Sequence, residues 1–321
     1  MRNFDYVLRR GIFSLVTIFL AVTGNFFLFR LLPGDAVSNL AKVPHAGPEL
    51  QHALMVRFGL DRSTWDQYLL YLKNLLHGDL GVSFTYQEPV SHLLLTDLEN
   101  TVLLAGAGTL GAIVLGVLSG VVAAWRRSSP LDHLNTGLAT LVYSFPAQWL
   151  GLVLLIIFAG VLPAGGMSDL FVFDSPPFWP HLADVGSHMV LPTATLILTA
   201  YGGYTLVVRS SMLETLGEDY VLTARAKGLS SRRIVWRHAV RNAMLPIVTM
   251  VALDLGYVVG GAVLVEVIFS WPGLGMATYT ALGQRDYPMV QGGFLILTVS
   301  VILLNFLADL VYFRLDRRVS A

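Results

Sequence analysis

Six stretches of this chain are apolar enough and long enough to cross a bilayer as helices: roughly 10–31, 100–124, 134–161, 189–209, 246–269 and 290–313. About 20 such residues span the hydrocarbon core. None of the six is an unbroken greasy run. The second carries Gly106, Gly108, Gly111, Gly116 and Gly120, with the last two in GxxxG spacing, and the fifth repeats the device with Gly256 and Gly260. Small residues one turn apart let helix backbones approach closely, so both faces are expected to pack tightly against other helices. Pro146 and Pro192 interrupt the third and fourth stretches, where they free carbonyls and permit kinks. The first run, Gly11–Phe29, follows Arg2, Arg9 and Arg10 much as a signal peptide would. It exceeds the usual core of roughly 7–15 residues, and five further runs follow, so it reads as a retained first span. The predicted fold class is all-α, a polytopic membrane protein with six transmembrane helices.

Two connections are too long to be simple loops. Within 32–99, Trp65, Tyr68, Leu69, Leu72, Leu75 and Leu76 recur at three- and four-residue intervals and predict an amphipathic helix. Its Trp and Tyr suit the headgroup layer; the alternative is a small domain packed on the outer mouth. Within 210–245, Ala224 and Ala226 predict a short helix that Gly228 ends in a left-handed cap. Ser230 or Ser231 then caps a second helix through Ile234, Val235, Ala239 and Val240, and Pro246 opens the fifth span. This helix–turn–helix is small on one side and strongly basic on the other. It suits insertion into a groove on another protein, with arginines positioned to bind carboxylates. The competing reading is a basic loop touching anionic lipid.

Composition and charge sharpen this picture. Of 321 residues, 55% are hydrophobic and 13% charged, against roughly 25% charged in a typical soluble domain. Net charge is zero, which gives no reason to expect a nucleic-acid partner. The absence of cysteine excludes disulfides, thiolate metal sites and a cysteine nucleophile. With the N-terminus inside, 15 of the 21 Lys and Arg residues fall on the cytoplasmic side, so both termini are expected there. Arg30 runs against the trend and is expected to snorkel. No lysine follows a glycine, so no phosphate-binding loop is present and ATP must be bound elsewhere if it is used.

Acidic residues inside apolar spans mark candidate sites. Asp254 and Glu266 in the fifth stretch are possible pathway-lining groups. Asp254 would meet a cationic solute group, or pair with Asn305 or a companion subunit. Asp309 reads as a helix-end residue close to Arg314, and Ser270-Trp271-Pro272-Gly273 with Tyr287-Pro288 as a compact outer turn. The eight histidines show no ligand spacing, and no metal site or catalytic constellation is expected.

The segment EDYVLTARAKGLSSRRIVWRHAVRNAMLP, Glu218 to Pro246, resembles the EAA-type coupling loop of ABC importer permeases, specifically the dipeptide and oligopeptide permease family. Gly228 stands at the family's invariant glycine, and Leu222 where the generic motif has glutamate. LLPGDAV (31–37), FGLDRSTWDQYLLYLKNLLHGDLGVSF (58–84), YSFPAQWLG (143–151), LPTATL (191–196), EVIFSWPGLG (266–275), RDYPMVQG (285–292) and NFLADLVYFRLDRRV (305–319) resemble the same family, Arg317 departing from its usual proline. The resemblance implies a permease fold divided into 1–99, the first helix plus a large extracytoplasmic segment, and 100–321, a five-helix core with the loop at 210–245. It implies coupling to an ATPase through Tyr220, Thr223, Ala224, Arg225, Ala226, Lys227, Gly228 and Leu229. It also implies partners: a homologous second permease forming a heterodimer, two cytoplasmic ATPase domains that bind ATP and Mg, and an extracytoplasmic substrate-binding protein. The implied function is import of di- or oligopeptides by alternating access across the cytoplasmic membrane, this chain itself being no enzyme and binding no cofactor. Similar subunits carry nickel, glutathione, haem or oligosaccharide. Two readings of other classes remain: an autonomous ion-coupled transporter or channel, which would show ion ligands in two symmetric halves, and a membrane enzyme.

Overall fold

The structure, a computed structural model, describes residues 2–31, 63–169, 177–255 and 258–315. His45, His52, Gly256, Arg317 and the motif stretches 32–37 and 58–62 lie outside the described residues. The described residues are helical almost throughout: α1 (Arg2–Leu31), α2 (Thr64–Leu76), α3 (Val90–Trp125), α4 (Pro130–Tyr143), α5 (Ala147–Ile157), α6 (Phe178–Leu216), α7 (Asp219–Ala226), α8 (Ser231–Arg233), α9 (Val240–Leu255), α10 (Val258–Ile268), α11 (Leu274–Gln284) and α12 (Tyr287–Leu315). A π-helical stretch, Ile234–Ala239, joins α8 to α9.

The centre of the bundle is α3 packed on α6. A Cβ at Gly116 would come within 2.4 Å of the Tyr204 Cβ, and one at Gly120 within 2.7 Å of the Thr205 carbonyl. The glycine face read from the sequence therefore brings two backbones together. Beside it Ser119 and Thr205 share a hydrogen bond (2.7 Å), Asn135 Nδ2 donates to the Ser119 carbonyl (2.8 Å) and Tyr201 donates to Asn135 Oδ1 (2.7 Å). Polar side chains thus join α3, α4 and α6 where the surroundings are otherwise apolar. The expected second glycine face behaves differently. Gly260 is exposed, and a Cβ there would meet no atom within 4 Å, so among the described residues it packs against nothing.

Among the described residues, four helices, α1, α3, α6 and α12, contain apolar windows long enough to span a membrane singly, against the six expected. The third expected stretch is a pair, α4 and α5, bent by 107°. Pro146 sits at the N-cap of α5, and a residue before proline is driven out of the helical region, so the break falls at Ser144–Pro146. The pair still traverses the bundle. Gly108 and Gly120 meet Leu196 and Val208, so α3 and α6 run parallel and the chain must return between them. Asp132 meets Arg209, Ala139 meets Gly202, and Ala147, Leu154 and Leu155 pack beside Leu191, in that order along α6. The fifth stretch is likewise divided, between α9 and α10. Ala243 lies at Ser211, Asp254 at Tyr204 and Val265 with Leu191, so the two helices together also run the depth of α6.

Pro246 does not open a helix; it lies inside α9. The Ser211 hydroxyl donates to the carbonyl of Ala243 (3.0 Å), in the turn that the proline loosens, and the preceding π-helical stretch absorbs the change of register. Pro192 is also interior, buried within α6. The amphipathic helix read from Trp65 onward is α2, capped by the Ser63 hydroxyl. Tyr68 is buried against Phe26 of α1 and shares a 2.8 Å hydrogen bond with Thr23, while Trp65, Leu69 and Leu76 remain exposed.

Candidate functional site: the basic loop and the opposite end

The basic loop folds as a closed helix–turn–helix. At the end of α7 the Gly228 N–H donates to the Arg225 carbonyl (2.9 Å) and the Leu229 N–H to that of Ala224 (3.3 Å), with Gly228 at φ +74°. These are the two bonds of a Schellman cap, which needs a left-handed residue at the glycine position. Leu229 packs back on Val221, Ala224 and Ile234. Ser230 occupies the N-cap of the second helix, but its side chain makes no capping bond, and Ser231 Oγ instead accepts from Trp125 Nε1 of α3 (3.1 Å). The Tyr220 hydroxyl accepts from Asn242 Nδ2 (2.7 Å), which fixes the start of α7 to α9.

This geometry turns the helix opposite to the simplest sequence reading. Ala224, expected at a partner surface, is only 6% exposed and belongs to the loop's own core. Packing of Val221 and Ala224 against Ile234 leaves Asp219, Leu222, Thr223 and Ala226 on the outer face, with Arg225 and Lys227 beside them. Leu222, at the glutamate position of the generic motif, is 54% exposed, and Trp236 is exposed on the next turn of the knob. An eight-residue helix with apolar groups on two sides did not reveal from spacing alone which side was inner.

Immediately behind the loop, Arg209 of α6 grips Asp132 at the start of α4 through two bonds, Nε–Oδ1 2.6 Å and Nη2–Oδ2 2.8 Å. Asp132 is 1% exposed and also accepts from the Ser128 N–H (2.9 Å). Sequence reasoning missed this pair, because Arg209 was counted only as one of the basic residues. At the same end of the bundle Arg10 donates to Asp309, tying α1 to α12. Asp309 therefore works with Arg10; the side chain of Arg314, expected beside it, lies outside the described structure. Asn305 faces an open cleft of about 420 Å³ between α1, α9 and α12, and Asp254 accepts from the Tyr204 hydroxyl (2.6 Å) instead of pairing with Asn305.

The opposite end is built around Glu266, which is fully buried within this chain. Its Oε2 accepts from the N–H groups of Gly275 (2.7 Å) and Met276 (3.2 Å), the first turn of α11. Its Oε1 accepts from Thr101 (2.7 Å), and Thr101 Oγ1 in turn accepts from the Leu274 N–H (2.8 Å). Three orphan donors of a helix N-terminus are thereby satisfied. The compact turn expected at Ser270–Gly273 is held there, with Trp271 Nε1 donating to the Asn100 carbonyl (3.1 Å) and Asn100 Nδ2 donating to that of Pro272 (2.8 Å). Asp286, at the head of α12, accepts from Ser83 Oγ (2.5 Å) and the Thr85 N–H (3.0 Å). Motif stretches 58–84 and 285–292 thus meet through Ser83 and Asp286, while 266–275 closes on itself through Glu266 and Gly275.

A profile of the family described as binding-protein-dependent transport system inner membrane component matches residues 112–321, which include the basic loop and the carboxylates Asp132, Glu266 and Asp286. The chain belongs to that family. Relatives of this inner membrane component extend over nearly its full length. It is 39% identical to the dipeptide transport system permease protein of Escherichia coli K12, and 39% identical to the di/tripeptide transport system permease protein of Pseudomonas aeruginosa, with 96% of each chain covered in both cases. It is 33% identical to the glutathione transport system permease protein of Escherichia coli O6:H1, again with 96% of each chain covered. Among solved structures, the MetNI methionine ABC transporter in inward-facing conformations matches with a TM-score of 0.54 at 18% identity, covering 70% of this chain and 97% of that one. That likeness concerns the fold. Membership in the family also removes the reading as an autonomous channel, since transport by this family depends on a binding protein.

Proposed function

We propose that this chain is the permease half of an ATP-driven importer of dipeptides or short peptides, paired with a homologous permease. Two ATPase domains dock on the pair, one of them on α7 of this chain, and a separate protein delivers the solute to the opposite end. The observation that carries the peptide assignment is the match at 39% identity over 96% of the chain to permeases of dipeptide and di/tripeptide systems. The outward face of α7 supports the docking reading: a rigid, capped helix presents exposed Leu222 amid basic side chains. Alternating access then moves α3–α6 as one packed unit, with α7 and the stretch after it as the handle.

In this reading α1, α3, the α4–α5 pair, α6, the α9–α10 pair and α12 are six crossings, with both termini and the basic loop on the cytoplasmic side. The chain has no cysteine, so single cysteines report on sidedness without background. Ser231→Cys should react with an impermeant reagent only from the cytoplasmic face, and Glu88→Cys only from the other. Labelling of Ser231→Cys from outside overturns the topology.

Substrate choice is read from uptake. Vesicles carrying this chain with its partner permease, ATPases and binding protein should accumulate a labelled dipeptide in an ATP-dependent manner. Excess unlabelled dipeptide should compete, and excess glutathione should not. Uptake competed by glutathione alone would move the assignment to the glutathione relatives.

A further inference from the structure

A side-chain cluster lies apart from both carboxylate networks, where the segment following α5 meets the first turns of α6. His188 and Asp184 are one turn apart on α6, and Asp169 approaches from the loop. One possible ligand atom from each residue lies within 4.8 Å of the other two. His188 is the informative member. Its imidazole is 2% exposed, and Nδ1 lies 2.9 Å from the backbone carbonyl of Asp184. A carbonyl only accepts, so Nδ1 carries the proton and donates. Nε2 makes no hydrogen bond among the described residues and faces Asp169 Oδ1 at 3.5 Å, while Asp184 Oδ1 lies 3.5 Å from Nδ1.

A ring nitrogen and a carboxylate oxygen 3.5 Å apart at a buried side chain leave room for a cation that both can bind. The spacing suits a metal ion: bonds of about 2.0–2.2 Å to nitrogen and carboxylate oxygen in tetrahedral geometry hold ligand atoms roughly 3.4 Å apart. The surroundings have the form of a metal site as well. A ligating histidine commonly donates its other N–H to a backbone carbonyl, and ligating carboxylates are themselves hydrogen-bonded. Here Asp184 accepts from Ser168 Oγ and, through Oδ2 at 3.0 Å, from the Asp169 N–H.

We propose that Asp169, Asp184 and His188 form a binding site for a divalent transition-metal ion that clamps the segment after α5 to the head of α6. One imidazole with two carboxylates selects zinc, nickel or cobalt over magnesium or calcium, which prefer oxygen alone. Asp169 is 86% exposed, so an ion reaches the site from solvent. The clamp bears on the turn described above. The Gly166 N–H donates to the Phe269 carbonyl (2.9 Å), and Met167 packs with Val185, Leu104 and Trp271. A bound ion therefore braces the same end of the molecule that holds Glu266 and Ser270–Gly273.

The test uses the full chain, purified without a histidine tag, with zinc measured by competition against a chromophoric chelator and cobalt by its visible absorption. Wild type should bind one zinc ion per chain that excess calcium or magnesium does not displace, and cobalt should show the intense bands of a low-coordinate site. His188→Gln should weaken that binding by at least about 10- to 100-fold, the range seen even for supporting groups of metal sites. Asp169→Asn alters an exposed side chain without threatening the fold and should do the same. Equal zinc affinity and stoichiometry in wild type and Asp169→Asn overturns the proposal, as does displacement of zinc by calcium at comparable concentration.

Discussion

Replacing Arg209 with alanine is expected to destabilise the protein by about 3–5 kcal/mol, the usual cost of leaving one member of a buried ion pair without its partner. Asp132 is 1% exposed and receives two of its hydrogen bonds from that guanidinium. The Arg209 side chain is 27% exposed, so water replaces only part of its contribution, and the carboxylate keeps Ser128 and Thr136 as its protein donors. The damage spreads because the pair fixes the start of α4 against α6, and α4 carries the chain into the 107° bend. Arg209→Lys should recover only part of the loss, since a lysine cannot make the bidentate contact. A double variant, Asp132→Asn with Arg209→Met, should be more stable than Arg209→Ala alone, because it removes the stranded charge. Denaturant unfolding in detergent checks the order. If Arg209→Ala unfolds at the wild-type midpoint, the pair does not hold these helices together.

How far the sequence disclosed this architecture depends on how local each determinant is. The close-packing face of α3, though not its partner α6, was legible because Gly116 and Gly120 repeat one turn apart and small residues in an apolar run have few other uses. The Schellman turn was legible because a glycine after an alanine-rich helix and before serines carries a conformational requirement that nearby residues declare. Gly260 shows the limit of the same rule: the spacing is there, but among the described residues no helix lies against it. Pro146 was recognisable as an interruption, yet a proline fixes only its own φ and its predecessor's range, not a bend of 107°. Glu266 was ambiguous because a lone acid in an apolar run has two physical justifications, solvent on a pathway or donors at a helix end. Its donors lie 9 and 10 residues downstream and its hydroxyl partner 165 residues upstream, distances that no periodicity encodes. Asp132 and Arg209, 77 residues apart, were invisible for the same reason. His188 stood one turn from Asp184 throughout, but without the loop that brings Asp169 the spacing alone was too common to single out.

The docking reading makes its largest claim at Leu222. On the proposed outer face of α7 this side chain is 54% exposed, so within the chain it contributes little to stability. Seated in a groove of an ATPase domain it would be buried, and full burial of a leucine is worth about 1.5–3 kcal/mol. Leu222→Asp forfeits that burial and places a carboxylate in a dry contact, so affinity for the ATPase should fall by about 100-fold or more. Solute uptake in vesicles should fall with it, while the amount of folded permease and its pairing with the second permease stay at wild-type level. Ala224→Glu should behave differently. That position is 6% exposed against Val221 and Ile234, so the change disrupts the loop's own core, and limited proteolysis should cut between α7 and α9. Gly228→Val belongs with it, since a β-branched residue is poorly tolerated at φ +74°. Arg232→Ala, on the exposed basic flank, should cost only about 0–1 kcal/mol, as solvent-exposed ion pairs do. Co-purification of the ATPase, uptake and proteolysis in one set of vesicles separate these outcomes. Wild-type co-purification and uptake by Leu222→Asp, with Ala224→Glu impaired, would mean that α7 is a structural brace and that the ATPase is engaged elsewhere.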